Sequence, residues 1–117
     1  MELDIQIRDP KRAASLRRHV DRRIRSALKR FSGRIARVVV RISDLNGPRG
    51  GLDQHCHLML AFPGQPDIVI SDRDSDPYVT IDRAAERARR TLRRQIERAR
   101  RLTSRDALRT AMLVPGD

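Results

Sequence analysis

At 117 residues the chain supports one domain with a modest core and is too short for two. A formal net charge of +11 and an isoelectric point near 11.5 call for an anionic partner, either nucleic acid or a negatively charged membrane surface. Only Phe31, Phe62 and Tyr78 are aromatic, which argues against readers of single strands that stack bases on exposed rings.

The lone Cys56 excludes an internal disulfide and suits a reducing compartment. No apolar run approaches the about 20 residues that a membrane span needs, and the opening MELDIQIRDP lacks the order of a signal peptide. A soluble, cytoplasmic protein is expected. The positive charge is almost all arginine, with Lys11 and Lys29 the two lysines, and arginine suits bidentate phosphate contacts.

Residues 2–8 alternate, with Leu3, Ile5 and Ile7 on one side and Glu2, Asp4, Gln6 and Arg8 on the other, the pattern of a half-buried strand. Asp9-Pro10 reads as a cap and first helical residue, and a helix is predicted to about Phe31 with Leu16, Val20, Ile24, Ala27 and Phe31 inward. Gly33 suits a helix stop. Residues 34–43 read as a strand that buries Ala36, Val38, Val40 and Ile42. Asn46–Gly51 reads as a glycine-rich loop.

Alternation resumes over residues 53–62, with Cys56, Leu58, Leu60 and Phe62 inward, and Pro63-Gly64 suits the centre of a type II turn. A short strand is predicted at Asp67–Ser71. Asp76-Pro77 then opens a second helix to Leu102, whose stripe is Ile81, Ala85, Ala88, Leu92, Ile96 and Ala99. Residues 103–117 lose the pattern and read as a short flexible tail after a domain of residues 1–102.

The order β-α-β-β-β-α predicts an α+β fold. The helical crossover makes the first two strands parallel, and short connections make the next two pairings antiparallel. One apolar face per element places both helices on the same face of a four-stranded mixed sheet. Two basic helix surfaces then lie side by side.

Between Pro10 and Phe31 stand nine basic residues and one acid, Asp21, with Arg18, Arg22, Arg25 and Lys29 on the solvent side and Arg23 on its flank. The second helix carries nine arginines against Asp82, Glu86 and Glu97. At 100° per residue, Arg83, Arg87, Arg90, Arg94 and Arg101 form a row opposite its stripe. Simply solvated helices interleave both signs, and these do not, so an anionic partner is expected. RNA is favoured over a membrane because the apolar stripes are needed for the core.

Other motifs point nowhere stronger. His55 and His57 share one side of a strand and open the possibility of a metal hydrolase, but a zinc site wants more ligands than they supply. Asp72-x-Asp74-x-Asp76 copies the start of a calcium loop, yet Pro77 and Arg83 stand where glycine and a bidentate acid are required. These acids read as capping the second helix. No nucleophile triad or phosphate loop is present, so no enzyme activity, cofactor or resident metal is expected.

Within this order, Asp76-Pro77-Tyr78-Val79-Thr80-Ile81-Asp82 resembles the D-x-Y-x-A-I-D entry to the second helix in the ribosome hibernation promoting factor and ribosome-associated inhibitor A family. Leu16-Arg17-x-x-Val20, Arg23-Ile24, Phe31 and the Leu3-x-Ile5 strand agree with it. The resemblance implies a stationary-phase and stress factor that binds rRNA in the mRNA and tRNA channel of the small ribosomal subunit and represses translation. It places family basic positions on Arg17, Arg23, Arg87, Arg90, Arg94 and Arg98, and implies a short-type factor, monomeric off the ribosome. Thr80 in place of Ala, Pro77 after the Asp, Ile96 at a commonly basic position and the charge of +11 depart from the family's usual pattern. The alternative is a general module for structured or double-stranded RNA.

Overall fold

The computed structural model describes residues 1–44 and 53–113, so the expected Asn46–Gly51 loop and the end of the tail, 114–117, lie outside the described residues. The elements are β1 (Glu2–Ile7), α1 (Ala13–Leu28), a 3-10 turn (Lys29–Phe31), β2 (Arg37–Asp44), β3 (Gln54–Ala61), β4 (Ile68–Asp74) and α2 (Pro77–Leu113). The sheet order is β1-β2-β3-β4, with β1 parallel to β2 and the other two pairings antiparallel. This is the expected α+β topology, with both helices on one face. No described helix is long and apolar enough to cross a membrane.

Alternation decides which face is buried. Val38, Val40 and Ile42 of β2, Cys56, Leu58 and Leu60 of β3, and Ile68 and Ile70 of β4 all point under the helices. From above, α1 inserts Leu16, Val20, Ile24 and Leu28, and α2 inserts Ile81, Leu92 and Ile96. Ala84, Ala85 and Ala88, all fully buried, let α2 lie close to the layer below. Ile5 is buried, while Leu3 and Ile7 pack only partly because β1 is an edge strand.

Several boundaries differ from expectation: β2 begins at Arg37 rather than at residue 34 and leaves Ala36 exposed, and other differences have a local physical reason. The helix after β1 starts at Ala13, not Pro10, because Asp9 makes a turn: its Oδ1 accepts the Lys11 N–H (3.0 Å) and its carbonyl the Arg12 N–H (3.3 Å). At its far end the chain leaves through the 3-10 turn, and Gly33 does not take the left-handed conformation of a glycine cap. The last strand runs on to Asp74, so part of the acidic stretch belongs to β4.

The second helix also passes the expected end at Leu102. Residues 103–111 are all exposed, so no core holds them. They continue the helix because packing has already nucleated it, each added residue gains one backbone bond, and no breaker comes before Pro115. The expected turn at Pro63-Gly64 does form: Gly64 has φ of 85° and the Gln65 N–H reaches the Phe62 carbonyl at 3.0 Å.

Candidate nucleic-acid interface

A polar seam bolts the two helices together. Asp76 Oδ1 accepts the Tyr78 N–H at 2.9 Å, an N-cap that starts α2 ahead of the buried Pro77. Tyr78 then reaches across to α1, donating its hydroxyl to Ser15 Oγ at 2.9 Å. The His19 ring meets the Tyr78 ring edge-on, with centroids 4.9 Å apart.

One turn further along, Asp82 Oδ1 takes His19 Nε2 at 2.7 Å and Arg23 Nε at 3.0 Å. Arg22 Nη2 lies 3.2 Å from His19 Nδ1, and a guanidinium only donates, so this contact assigns the proton of a neutral His19 to Nε2, facing Asp82. Thr80 is buried and satisfies its hydroxyl on the Pro77 carbonyl at 2.6 Å. The Asp76-to-Asp82 motif is therefore the start of a helix and its fastening to α1.

Outside this seam the helices present their charge. On α1 and the 3-10 turn after it, Arg17, Arg18, Arg22, Arg25 and Lys29 are exposed; Arg25 is held by Asp21 at 2.8 Å. Arg23 is half-buried and committed to Asp82. On α2, Arg90 lies 3.8 Å from Glu86, while Arg94, Arg98 and Arg101 are exposed with no described carboxylate within ion-pair distance. The same holds for Arg17 and Arg18 on α1 and for Lys29 in the 3-10 turn.

The predicted row on α2 divides in two. Arg83 and Arg87 lean over the free edge of β4 rather than standing clear of the domain. Arg83 donates to Asp72 Oδ1 from Nε (3.1 Å) and Nη2 (2.6 Å), and from Nη2 to the Arg73 carbonyl (2.8 Å). Arg87 Nη1 donates to the Ser71 carbonyl at 2.8 Å and lies 3.8 Å from Asp72 Oδ2. An edge strand has unpaired carbonyls, and these two guanidinium groups satisfy them. Sequence reasoning missed the clasp because it ended the last strand at Ser71.

Electrostatics follow from the same contacts. Glu86 is gripped through both oxygens by Arg89 (3.1 and 2.5 Å), and this hydrogen bonding, with the nearby charges of Arg89, Arg90 and Arg23, holds its carboxyl below the usual range. Cys56 faces the core beside Asp72. Burial first, and the Asp72 charge second, push its thiol up to about 12. His55 and His57 lie on the opposite, open face with ring centroids 6.2 Å apart. Among the described residues, no group of three or more His, Cys, Asp or Glu is placed to hold a metal ion.

Comparison with known proteins gives a consistent picture. Residues 3–100 match the family described as Sigma 54 modulation protein / S30EA ribosomal protein. The fold is similar to the Protein Y N-terminal domain of Thermus thermophilus, at 20% identity and TM-score 0.64 over 80% of this chain and 98% of that one. It is also similar to a ribosomal subunit interface protein from Coxiella burnetii, at 14% identity and TM-score 0.63 over 83% of this chain and 99% of that one. At such identities the structural likeness is one of fold. No curated protein matches the chain.

Proposed function

The chain belongs to the Sigma 54 modulation protein / S30EA ribosomal protein family of ribosome-associated hibernation factors, and from that premise we propose that it binds rRNA in the mRNA and tRNA channel of the small subunit. The observation that carries the reading is the helix layer. There Arg17 and Arg18 of α1, Lys29 of the 3-10 turn, and Arg94, Arg98 and Arg101 of α2 are exposed with no described carboxylate within ion-pair distance, on a face fixed by the Tyr78 and Asp82 seam. Guanidinium groups held on rigid helices meet phosphate oxygens at little ordering cost.

The mechanism is steric. A cytoplasmic protein seated in the channel excludes mRNA and tRNA and so keeps idle ribosomes from initiating, in stationary phase and under stress. No bond is made or broken, and the protein acts as a non-enzymatic plug. Phosphate contacts set the affinity and its dependence on salt. With roughly six phosphates neutralised, log K falls against log salt with a slope near −5.

Equilibrium binding to isolated small subunits, with tRNA and an unrelated RNA duplex as competitors, tests this reading. Displacement by tRNA at ribosome-like affinity, with the duplex at least tenfold weaker, is the expected result. Equal affinity for the duplex would instead identify a general structured-RNA module.

A further inference from the structure

The sheet face turned away from the helices carries a second basic surface. Strand register sets its outward side chains in rows across the sheet. One row reads Gln6, Arg41, His57 and Ser71 from β1 to β4. In the adjacent row stand Ser43, His55 and Arg73, and Arg8 prolongs β1 beside them through its N–H to the Ile42 carbonyl at 3.3 Å. Neither row contains a carboxylate.

Gln6, Arg8, Arg41, Ser43, His55 and His57 of these rows line a shallow depression of about 410 Å³, with Asp44 as the one carboxylate among its described lining residues. Arg8, Arg41 and Arg73 are exposed and have no described carboxylate within ion-pair distance. The face changes character towards its other end. The next row is Asp4, Val39, Met59 and Val69, and there Asp4 is already occupied by Arg37 at 3.1 Å. Positive charge is thus concentrated at the end of the sheet where β1 runs out into Arg8.

Resting on the reading above, that the chain engages ribosomal RNA, we infer that this half of the open face is a second phosphate-binding surface. It takes a separate stretch of RNA backbone while the helix layer holds the first. The two surfaces lie on opposite sides of a two-layer domain, so one phosphate run cannot serve both. The chemistry favours RNA over an acidic protein. Serines, histidines and a glutamine between the arginines offer hydrogen bonds to phosphates and 2′-hydroxyls, whereas a protein interface needs an apolar centre, which these two rows lack.

The test places a tethered iron chelate on each side of the folded protein, bound to ribosomes, and maps hydroxyl-radical cleavage. Val69→Cys puts the tether on the open face beside the rows, and Ser26→Cys puts it on α1; both positions are exposed, while the buried Cys56 stays unlabelled. Cleavage of rRNA from both tethers, at different positions, is the expected result. In parallel, Arg41→Glu with Arg73→Glu lowers ribosome affinity at least tenfold and flattens the salt slope by about 2, with unchanged melting.

Cleavage from the Ser26 tether alone, with wild-type affinity in the double variant, overturns the inference and leaves the helix-face reading standing. Cleavage of a ribosomal protein from the Val69 tether, with rRNA intact, assigns the face to an acidic protein and overturns it too. Failure of the wild-type protein to bind ribosomes contradicts the functional reading itself.

Discussion

Arg83 on α2 sits with Nη2 2.6 Å from Asp72 Oδ1 on β4, and the Asp72 side chain is only 11% exposed. The pair closes the free edge of the sheet under the helix, so Arg83 acts first as a fastening. Arg83→Ala leaves a largely buried carboxylate with the more distant Arg87, at 3.8 Å, as its described cation and is expected to cost about 1–3 kcal/mol of folding stability. Urea denaturation measures this. Asp72→Ala with Arg83→Ala recovers part of the loss if the pair is the cause, and two simply additive losses would remove the clasp from the account.

Among the described residues, Arg94 and Arg98 have no such carboxylate partner. Arg94→Glu with Arg98→Glu is expected to leave the melting temperature within a degree or two of wild type and to weaken ribosome binding at least 100-fold. Four units of charge change at the interface also reduce the salt slope, by about 2 for the two lost phosphate contacts. Wild-type binding by the folded variant would move the interface off this part of α2.

Asp82 accepts from two α1 side chains at once, His19 and Arg23. Asp82→Ala is expected to cost about 1–3 kcal/mol and to loosen α1 against α2. Amide exchange around residues 15–23 and 78–86 should then accelerate more than exchange in β3. Uniform acceleration across the domain would argue against a local bolt.

The Cys56 thiol is held at about 12, against an ordinary value of 9.0, so folding favours its neutral form. The sign follows: the contribution to stability is complete below pH 9 and is lost as the pH rises from 9 towards 12. At pH 8 the native thiol should resist alkylation and react fully in denaturant. Cys56→Ala should flatten the alkaline fall in stability. Rapid alkylation of the native protein would contradict the burial seen here.

Much of the fold was legible because local patterns and tertiary demands agree. Leu3, Ile5 and Ile7 alternate as a strand whose other face is open, and the Ile81–Ile96 stripe repeats as a helix on a sheet. What escaped the sequence depends on partners far along the chain. Asp72 and Asp74 look like a loop until Arg83 reaches them, and Arg83 and Arg87 look like free surface until the edge of β4 lies beneath them. Likewise, the helical state of residues 103–111 owes nothing to an apolar stripe. The basic rows on the open face escaped too, because Arg8, Arg41 and Arg73 stand on three different strands and only register brings them together.

The central claim is that this chain occupies the small ribosomal subunit through its helix layer. Sedimentation of the purified protein with ribosomes through a sucrose gradient at near-physiological salt tests it most directly. Co-migration with small subunits and whole ribosomes, absent from large subunits and lost in Arg94→Glu with Arg98→Glu, is the predicted result. Wild-type protein left at the top of the gradient would contradict the account and assign the basic helices to another anionic partner.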